Sequence, residues 1–564
     1  MTKQIALVLL PTVLLTLAVI SVAEPSYAQS LYIHTTYYLL LAMVLCWAGT
    51  YLHAVRDIRR DGVTAWAKEN WPGLVVALVV TLVAGLAVDP ALRVLSDEAN
   101  LVGTSKNLFA TKTATFTVSG KYYYDSYWDI DVVVDGRPPL FPFLVSLVHA
   151  LFGYSYKNVF LFNLMVLPAF VLVSYRLAKS LGGETFAVVA SLLVVAHPIT
   201  LISVRSGGFD FFTTFFALLA IKSLLDHCRE PSPERLAILW MNLCLLAEIR
   251  YESGLFILPV VALLLLFRMV NWSMLRPYAF IYALTPAYLL PRIWQLMLGK
   301  IVPRQDPGTV AFSFKYLFDN LLEYFKPILS PFASQPAHSA FVIALGIVGC
   351  ILWLRWIHGR LLSHDWRAPH LRFAAFVIAW MLVQALVVFT YVWGRAQYPT
   401  AARLVLTIDT FFAFAAAWAL TVGLKRWRPF VAVLLAAALF VIYLPVASQH
   451  RMMNKLTQTR EVATTWRFFE SLREKRILIV TDRPNLYTIM GYGAMGFETA
   501  RRDRFIFKAF ARHLFYDIYL VQQVRLSTNK VLPGYDIWHD RKLKTVLEFQ
   551  NDADVLIRIS RLAR

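Results

Sequence analysis

Runs of about 20 apolar residues, each long enough to cross the hydrocarbon layer of a bilayer as a helix, recur in this chain from near Met1 to about Ala447. Lipid offers no hydrogen bonds to an open backbone, so segments of this kind restrict the fold to a bundle of membrane-spanning helices. Hydrophobic residues make up 58% of the 564, and the mean hydropathy is +0.56, which leaves too little polar surface to coat a water-soluble globule of this size. Candidate spans are 4–22, 36–55, 72–92, 158–178, 184–203, 209–226, 235–250, 254–270, 277–298, 339–357, 371–393, 402–424 and 429–447. From about Ser448 to Arg564 the sequence turns charged and mixed, and predicts one water-exposed domain.

The net charge of +20 is arranged as topology rather than as a nucleic-acid footprint. With the N-terminus inside, alternating spans put Arg56, Arg59, Arg60 and Lys68, Arg176 and Lys179, Arg229 and Arg235, Arg268 and Arg276, Arg355, Arg360, Arg367 and Arg372, and Lys425, Arg426 and Arg428 in cytoplasmic loops. The short external turns then hold Arg205, Arg250, Arg395 and Arg403. The first segment has two readings, a retained helix or a secretory signal ending near Ser26-Tyr27-Ala28; both leave Gln29 outside. Cys46, Cys228, Cys244 and Cys350 lie in or beside spans, with no disulfide framework or zinc spacing.

Two long segments fall outside, about 93–157 and 299–338. Within the first, 139–152 (PLFPFLVSLVHALF) is apolar but too short to span, which predicts a helix lying along the membrane surface; 317–325 is a second such candidate. The C-terminal part has strand-like runs at 476–481, 517–521, 545–549 and 555–559 with helical stretches between, the pattern of a small α/β unit. Its basic excess suits an anionic surface, or simply solubility.

Chemistry-bearing residues concentrate outside. Asp97-Glu98 stands at the outer boundary of the third apolar segment, where ionisable groups are costly and either solvated or functional. Arg137-Pro138-Pro139 opens the surface helix, and an arginine fork there is suited to clamp a phosphate. Between them, Tyr124, Tyr127 and Trp128 belong to an aromatic run with acids, the composition of an interfacial belt or of a platform for sugar rings. Asp129-Ile130-Asp131 is a D-x-D that two carboxylates could offer a divalent cation; no further ligand spacing supports it, and no cofactor is expected. His149, His197 and His338 have no ligand spacing and read as core or interface histidines.

An acidic pair after an early span, an external loop of some 40 residues, a basic residue before Pro-Pro, and an aromatic-rich helix ending near Phe152-Gly153: this order resembles the GT-C glycosyltransferases. The branch it is most similar to holds the bacterial aminoarabinose (lipid A) transferases and the protein O-mannosyltransferases. The resemblance implies a mainly α fold of about 13 spans, with extra N-terminal segments at 1–70, a catalytic membrane domain at 71–447 and a periplasmic α/β domain at 448–564. It implies an inverting transfer of a sugar from a polyprenyl-phosphate carrier to a lipid, glycan or protein acceptor at the periplasmic face of a bacterial inner membrane. The implied partners are that donor, the acceptor and membrane lipids, with no nucleic acid.

Residue by residue, the resemblance makes Asp97 the general base, Glu98 its neighbour, and Arg137 the holder of the leaving phosphate. Arg205, Arg250 and Arg395 become further phosphate contacts, with interfacial snorkelling the alternative for each. Asp210 and Tyr398 become substrate contacts alongside Tyr124, Tyr127 and Trp128. The extra N-terminal segments, Gly207-Gly208, Glu248 and Glu252 depart from the family pattern. A transporter or flippase of lipid-linked or small anionic substrates is the rival class; its usual internal repeat and mid-membrane acids are weakly represented, Asp409 being the clearest acid.

Overall fold

In the computed structural model the described residues are 25–55, 60–298, 310–329, 337–362, 368–398, 400–423, 428–449, 457–472, 474–503, 505–538 and 541–563. The candidate span at 4–22 lies outside them, as do Arg56, Arg59, Arg367, Lys425, Arg426 and Pro399. Among the described residues, 8 helices are long and apolar enough to cross a membrane: Ser26–His53, Gly62–Ala87, Asn158–Leu193, Asp210–Arg229, Ala340–Leu362, Pro369–Thr390, Ala402–Val422 and Pro429–Ser448. The chain is a multi-pass membrane protein.

The expected span at 158–178 and the first half of that at 184–203 lie in one helical stretch, Asn158–Leu193, and Pro198–Val204 is a separate helix. The long stretch is interrupted at Gly183, whose φ of 83° is open to glycine but strained for other residues. The chain reverses there. Near its start Asn163 donates to the carbonyls of Ser206 (2.9 Å) and Gly208 (3.0 Å), while Ser180 at the break accepts from Arg229, at the far end of the next helix. The segments expected at 235–250 and 254–270 are shorter helices, Pro233–Ala247 and Ile257–Leu266. The one expected at 277–298 is divided into Arg276–Tyr278, Ala279–Ala283, Thr285–Tyr288 and Leu290–Leu298. Pro277, Pro286 and Pro291 explain the division, because a proline cannot donate to the preceding turn and restarts a helix at its first positions.

The surface-helix candidate 139–152 forms as Leu140–Phe152, but it is packed by protein along most of its length, with Ala150, Leu151 and Phe152 exposed at its end. Leu317–Leu329 keeps the amphipathic character expected of a surface helix: Asn320, Tyr324 and Pro327 are buried while Phe318, Leu322 and Leu329 are exposed.

The C-terminal residues form an α/β unit, and its sheet recruits two strands from the segment at 93–157. With β1 at Phe116–Tyr123, β2 at Ser126–Val133, β3 at Leu478–Val480, β4 at Gly493–Met495, β5 at Ile518–Arg525, β6 at Lys530–Val531, β7 at Leu543–Asp552 and β8 at Val555–Leu562, the strand order is β2-β1-β4-β3-β5-β8-β7, and β6 pairs with β5. Strands β4, β3 and β5 run parallel, and β1 joins β4 antiparallel through Gly120 and Ala494. Side chains reinforce the junction: Lys106 donates to the Thr488 carbonyl (2.9 Å), Thr488 to the Thr117 carbonyl (2.9 Å) and Asn485 to Asn100 (2.9 Å). The segment at 93–157 and the C-terminal residues therefore share one side of the bundle.

Helices Ala340–Leu362 and Leu406–Gly423 meet through glycine. A Cβ at Gly349 would sit 1.8 Å from the Ala415 carbonyl oxygen, and one at Gly346 would sit 2.8 Å from that of Phe412. Small residues allow such backbone approach where lipid supplies no hydrophobic drive for helices to associate. Gly349→Ala is expected to cost about 1–3 kcal/mol through overpacking. Gly359→Ala on the same helix, with nothing within 4 Å, is expected to be neutral or slightly stabilising. Pulse proteolysis in detergent compares the two.

Candidate functional site

Segment ends converge at one end of the bundle, the end that carries the β1–β2 hairpin, each delivering a charge. Asp97 and Glu98 lie in the first turn of Leu95–Ala110 and Asp210 opens Asp210–Arg229, positions where a carboxylate faces the positive end of the helix dipole. Arg93 precedes the first of these helices, Arg137 precedes Leu140–Phe152, Arg250 follows Pro233–Ala247, and Arg403 lies in the turn Ala402–Val405.

Asp210 is the hub. Its carboxylate accepts from Arg93 at 2.9 Å and faces Arg250 at 3.2 Å and Arg403 at 3.4 Å. Arg93 also donates to the Ser203 hydroxyl (2.6 Å). Glu98 accepts the backbone N–H groups of Arg93 and Gly207, both at 2.9 Å, with the Arg93 guanidinium 3.6 Å away. The side chains of Arg93, Glu98 and Asp210 are at most 1% exposed, so they form a buried floor.

Asp97 forms the rim. Its two oxygens accept from Arg137 and Arg403, and Arg137 also donates to Asp135 at 2.7 Å. The exposures of 23% for Asp97, 18% for Arg137 and 12% for Arg403 set these three apart from the floor. Burial pushes the Asp97 carboxyl up, but Arg403 and Arg137 outweigh it and hold the group below the ordinary carboxylate range. The rim carries opposite charges in contact at an edge that solvent reaches.

The other expected site residues lie elsewhere or do other work. Glu98, expected beside Asp97 as a catalytic partner, is enclosed and holds the turn at Gly207. Asp210, expected on substrate, is enclosed as well and organises arginines. Arg205, expected on the donor phosphate, donates instead to the Val88 carbonyl (2.8 Å), and its own carbonyl accepts from Ala91 (3.1 Å), which closes the end of the preceding helix. Arg250 joins the cluster but is paired with Asp210 and Glu252. Arg395 and Tyr398 are exposed on the turn before Arg403, with no bond to the cluster among the described residues. Tyr124, at the hairpin turn with φ 55°, and Trp128 on β2 are exposed; Tyr127 is half-buried under Lys106, 4.9 Å above its ring. Asp129 accepts from Thr117 (2.7 Å), and Asp131 stands exposed on the same strand.

Sequence reasoning gave no role to Arg93, and placed Arg403 in an external turn without one. The available signal was an arginine at the edge of an apolar run beside an acid five residues on, and another inside the apolar start of a helix. Neither reports its partner, because Asp97 and Arg403 are 306 residues apart.

A second polar cluster braces the same turn from behind. His338 Nδ1 lies 2.7 Å from Asp409 and its Nε2 lies 2.9 Å from the Ala396 carbonyl; both partners are acceptors, so both ring nitrogens carry protons. Burial pulls His338 down, but Asp409 more than offsets it and the group is raised. Tyr324 donates to Asp409 at 3.0 Å, and the Ser339 N–H donates to His197 Nδ1 at 3.1 Å. His197, His338 and Asp409 have ligand atoms within 4.8 Å of one another; His338 and Asp409 are engaged in the bonds just given and tie the turn at Ala396, while His197 accepts through Nδ1 and its Nε2 is buried without a hydrogen-bond partner.

Residues 136–294 match the family described as Dolichyl-phosphate-mannose-protein mannosyltransferase. That stretch contains Arg137, Arg205, Asp210 and Arg250, but not Asp97 or Arg403. Among solved structures, ArnT from Cupriavidus metallidurans bound to undecaprenyl phosphate is 12% identical at a TM-score of 0.40, over 86% of this chain and 97% of that one. The Archaeoglobus fulgidus oligosaccharyltransferase tethered with an acceptor peptide is 11% identical at 0.43, over 81% and 70%. The arabinosyltransferase EmbB from Mycobacterium smegmatis is 11% identical at 0.35, over 68% and 33%. No curated relative matches the chain by sequence. The chain resembles the GT-C glycosyltransferases.

Floor and rim predict different stability costs. Asp210→Asn leaves the buried guanidinium groups of Arg93 and Arg250, with that of Arg403 at the rim, facing a neutral amide and is expected to cost about 3–5 kcal/mol. Asp97→Asn, at a solvent-reached edge with Asp135 still holding Arg137, is expected to cost about 1 kcal/mol or less. Thermal unfolding of the purified variants measures the order; equal costs would erase the distinction.

Proposed function

We propose that this chain transfers a sugar from a polyprenyl-phosphate carrier to an acceptor hydroxyl, with inversion, at the periplasmic face of a bacterial inner membrane. The acceptor class is lipid A, a cell-surface glycan or a protein. The observation that carries this reading is the Asp97 carboxylate held between Arg137 and Arg403 at the part-open edge of an otherwise buried cluster. The family match over 136–294 supports the same class of chemistry.

In the proposed step the acceptor oxygen bonds to the anomeric carbon and gives its proton to Asp97. The bond from that carbon to the phosphate oxygen breaks, and the carrier phosphate leaves with the electron pair. Arg137 and Arg403 stabilise the charge that gathers on the phosphate, with forks suited to paired hydrogen bonds. Arg395 and Tyr398, exposed on the adjoining turn, extend the phosphate side. Tyr124, Tyr127 and Trp128 offer aromatic surface on the acceptor side, on a hairpin fixed to the C-terminal sheet.

A carboxylate gripped by two arginines is a weak base, and the donor corrects this. When phosphate takes up Arg137 and Arg403, Asp97 loses the partners that hold its proton affinity down, and burial then raises it. The base is strengthened when its substrate arrives. Glu98 and Asp210 act as positioning residues that keep Arg93 and Arg403 in place.

Purified full-length protein supplied with a polyprenyl-phosphate-sugar and acceptor glycolipid is expected to consume the donor. Asp97→Asn is expected to lower kcat by about 100- to 10,000-fold, the usual contribution of a general base, while binding the carrier phosphate at least as tightly as the parent. Full turnover in that variant would remove Asp97 from the chemistry. The acid limb of kcat is expected at higher pH than that of kcat/KM, because kcat reports the donor-bound enzyme and kcat/KM the free one. Coincident limbs would contradict release of Asp97 by the donor.

A further inference from the structure

The sheet has two edges, and among the described residues both are open. Strand β2 stands at one edge and β7 at the other. Each is hydrogen-bonded along one side, β2 to β1 and β7 to β8, and among the described residues no backbone bond reaches the far side of either. Seven of the eight residues of β2 are exposed, and of the ten in β7 only Asn551 is buried. A row of free N–H and C=O groups of this kind is a template for another strand.

The two edges carry opposite charge. On β2, Asp131 lies across from Ser119 and Asp129 across from Gly120, so neither faces a cation on β1. Asp129 takes the Thr117 hydroxyl (2.7 Å) and lies in the field of Lys106, while Asp131 is exposed. On β7, Lys544 lies directly opposite Arg561, a like-charged pair, and Lys542 stands two residues before it; both lysines are exposed. Arg561 is turned to Asp517 (2.8 Å), Glu548 is paired with Arg558, and Asp552 accepts from the turn before β8. The lysines are left as the outward charge at the start of that edge. Exposed apolar side chains lie beside these charges, Ile130 and Val132 on β2 and Val546 on β7. A register irregularity in each ladder, near Ser119 and near Val546, twists the edge without covering it.

We propose that β2 of one copy of this chain pairs with β7 of a second copy, extending the sheet from one protein to the next. Backbone chemistry and charge together select this occupant. An open ladder takes a polypeptide strand, β2 suits a basic one, and β7 of the same sequence is such a strand. A β2–β2 contact would bring the acids of two copies together, and a β7–β7 contact the lysines; like charges across a ladder are unfavourable. The contact is therefore heterologous, and it leads to rows or a closed ring of copies instead of a two-fold dimer. Strands of 8 and 10 residues make a small interface, so the association is a weak one. It does not depend on the glycosyl-transfer reading.

Sedimentation velocity of the full-length protein in detergent, over a range of concentrations at low salt, tests this. The parent is expected to show species of two and more copies that recede as salt rises, because salt screens opposed exposed charges. Asp131→Lys, and separately Lys542→Asp with Lys544→Asp, are each expected to weaken association at least about fivefold, since opposed pairs become like ones. These side chains are exposed, so folding is expected to be kept, and thermal unfolding checks it. Each altered edge tests the contact by itself. The variant with all three substitutions again has edges of opposite sign and is expected to regain most of the association, and a mixture of the two altered proteins is expected to associate better than either alone. A parent that stays monomeric, altered edges that associate like the parent, or a combined variant as weak as its components would overturn the proposal. A two-copy species indifferent to every charge change would assign self-association to the membrane helices and overturn it as well.

Discussion

The buried carboxylate of Asp210 is the constraint around which one end of the bundle is organised. A charge removed from water must be matched by opposite charge and by donors, and here three arginines from three separate segments supply the match. Arg93 is fixed in turn by Ser203, and Glu98 ties the backbone at Arg93 to the turn at Gly207. A Cβ at Gly207 would come within 3.3 Å of Glu98 Oε2 and 2.9 Å of Leu92, so the turn is close-fitted to the acid as well as bonded to it. Apolar packing alone would let these helix ends slide; ion pairs of this geometry give them one arrangement.

A second tie fixes what stands above the cluster. The hairpin of β1 and β2 is an edge of the C-terminal sheet, joined through Gly120 and Ala494 and by the bonds of Lys106, Thr117 and Thr488. The helix Leu95–Ala110 lies between, with Asp97 in its first turn and Lys106 and Asn100 bonded to the C-terminal domain. The soluble domain and the rim of the cluster therefore share a helix, and a shift of one is transmitted to the other through a rigid rod 16 residues long. The boundary that composition suggests near Ser448 separates the membrane helices from the last stretch of sequence, but the sheet itself crosses it.

Local signals in the sequence reported local structure well. Apolar length identified the long spans, and the α/β alternation at the C-terminus showed in runs such as 476–481 and 555–559, which contain β3 and most of β8. Pro277, Pro286 and Pro291 are as visible in the sequence as the apolar run around them, and the breakers prevail over the run. Asp97 and Arg137 stand together because each lies at a helix start, a position that sequence marks. Arg205 stands apart from the cluster for a different reason. An arginine near a membrane interface has a phosphate or a backbone carbonyl as equally good acceptors, and only the fold shows that Val88 is within reach. Arg403 was illegible as a partner because 306 residues separate it from Asp97, and no periodicity encodes a contact of that range.

The division between floor and rim has a consequence for the order of events in the proposed reaction. Asp210, Glu98 and the Arg93 between them are enclosed, so an arriving anion cannot reach Arg93 without opening the bundle end. Arg137 and Arg403 are reachable, but they are already held by Asp97, and Arg137 by Asp135 and Arg403 by Asp210 as well. A phosphate therefore binds there by exchange rather than by filling an empty site, and its affinity is the difference between two ion pairings. That difference is small for an isolated phosphate. It becomes favourable when apolar area on the carrier adds burial at about 25 cal/mol per Å². Selection for a lipid-linked donor over a soluble sugar phosphate then follows from the occupied state of the arginines. An acceptor that arrives first meets a carboxylate whose charge is already satisfied, so donor must precede acceptor.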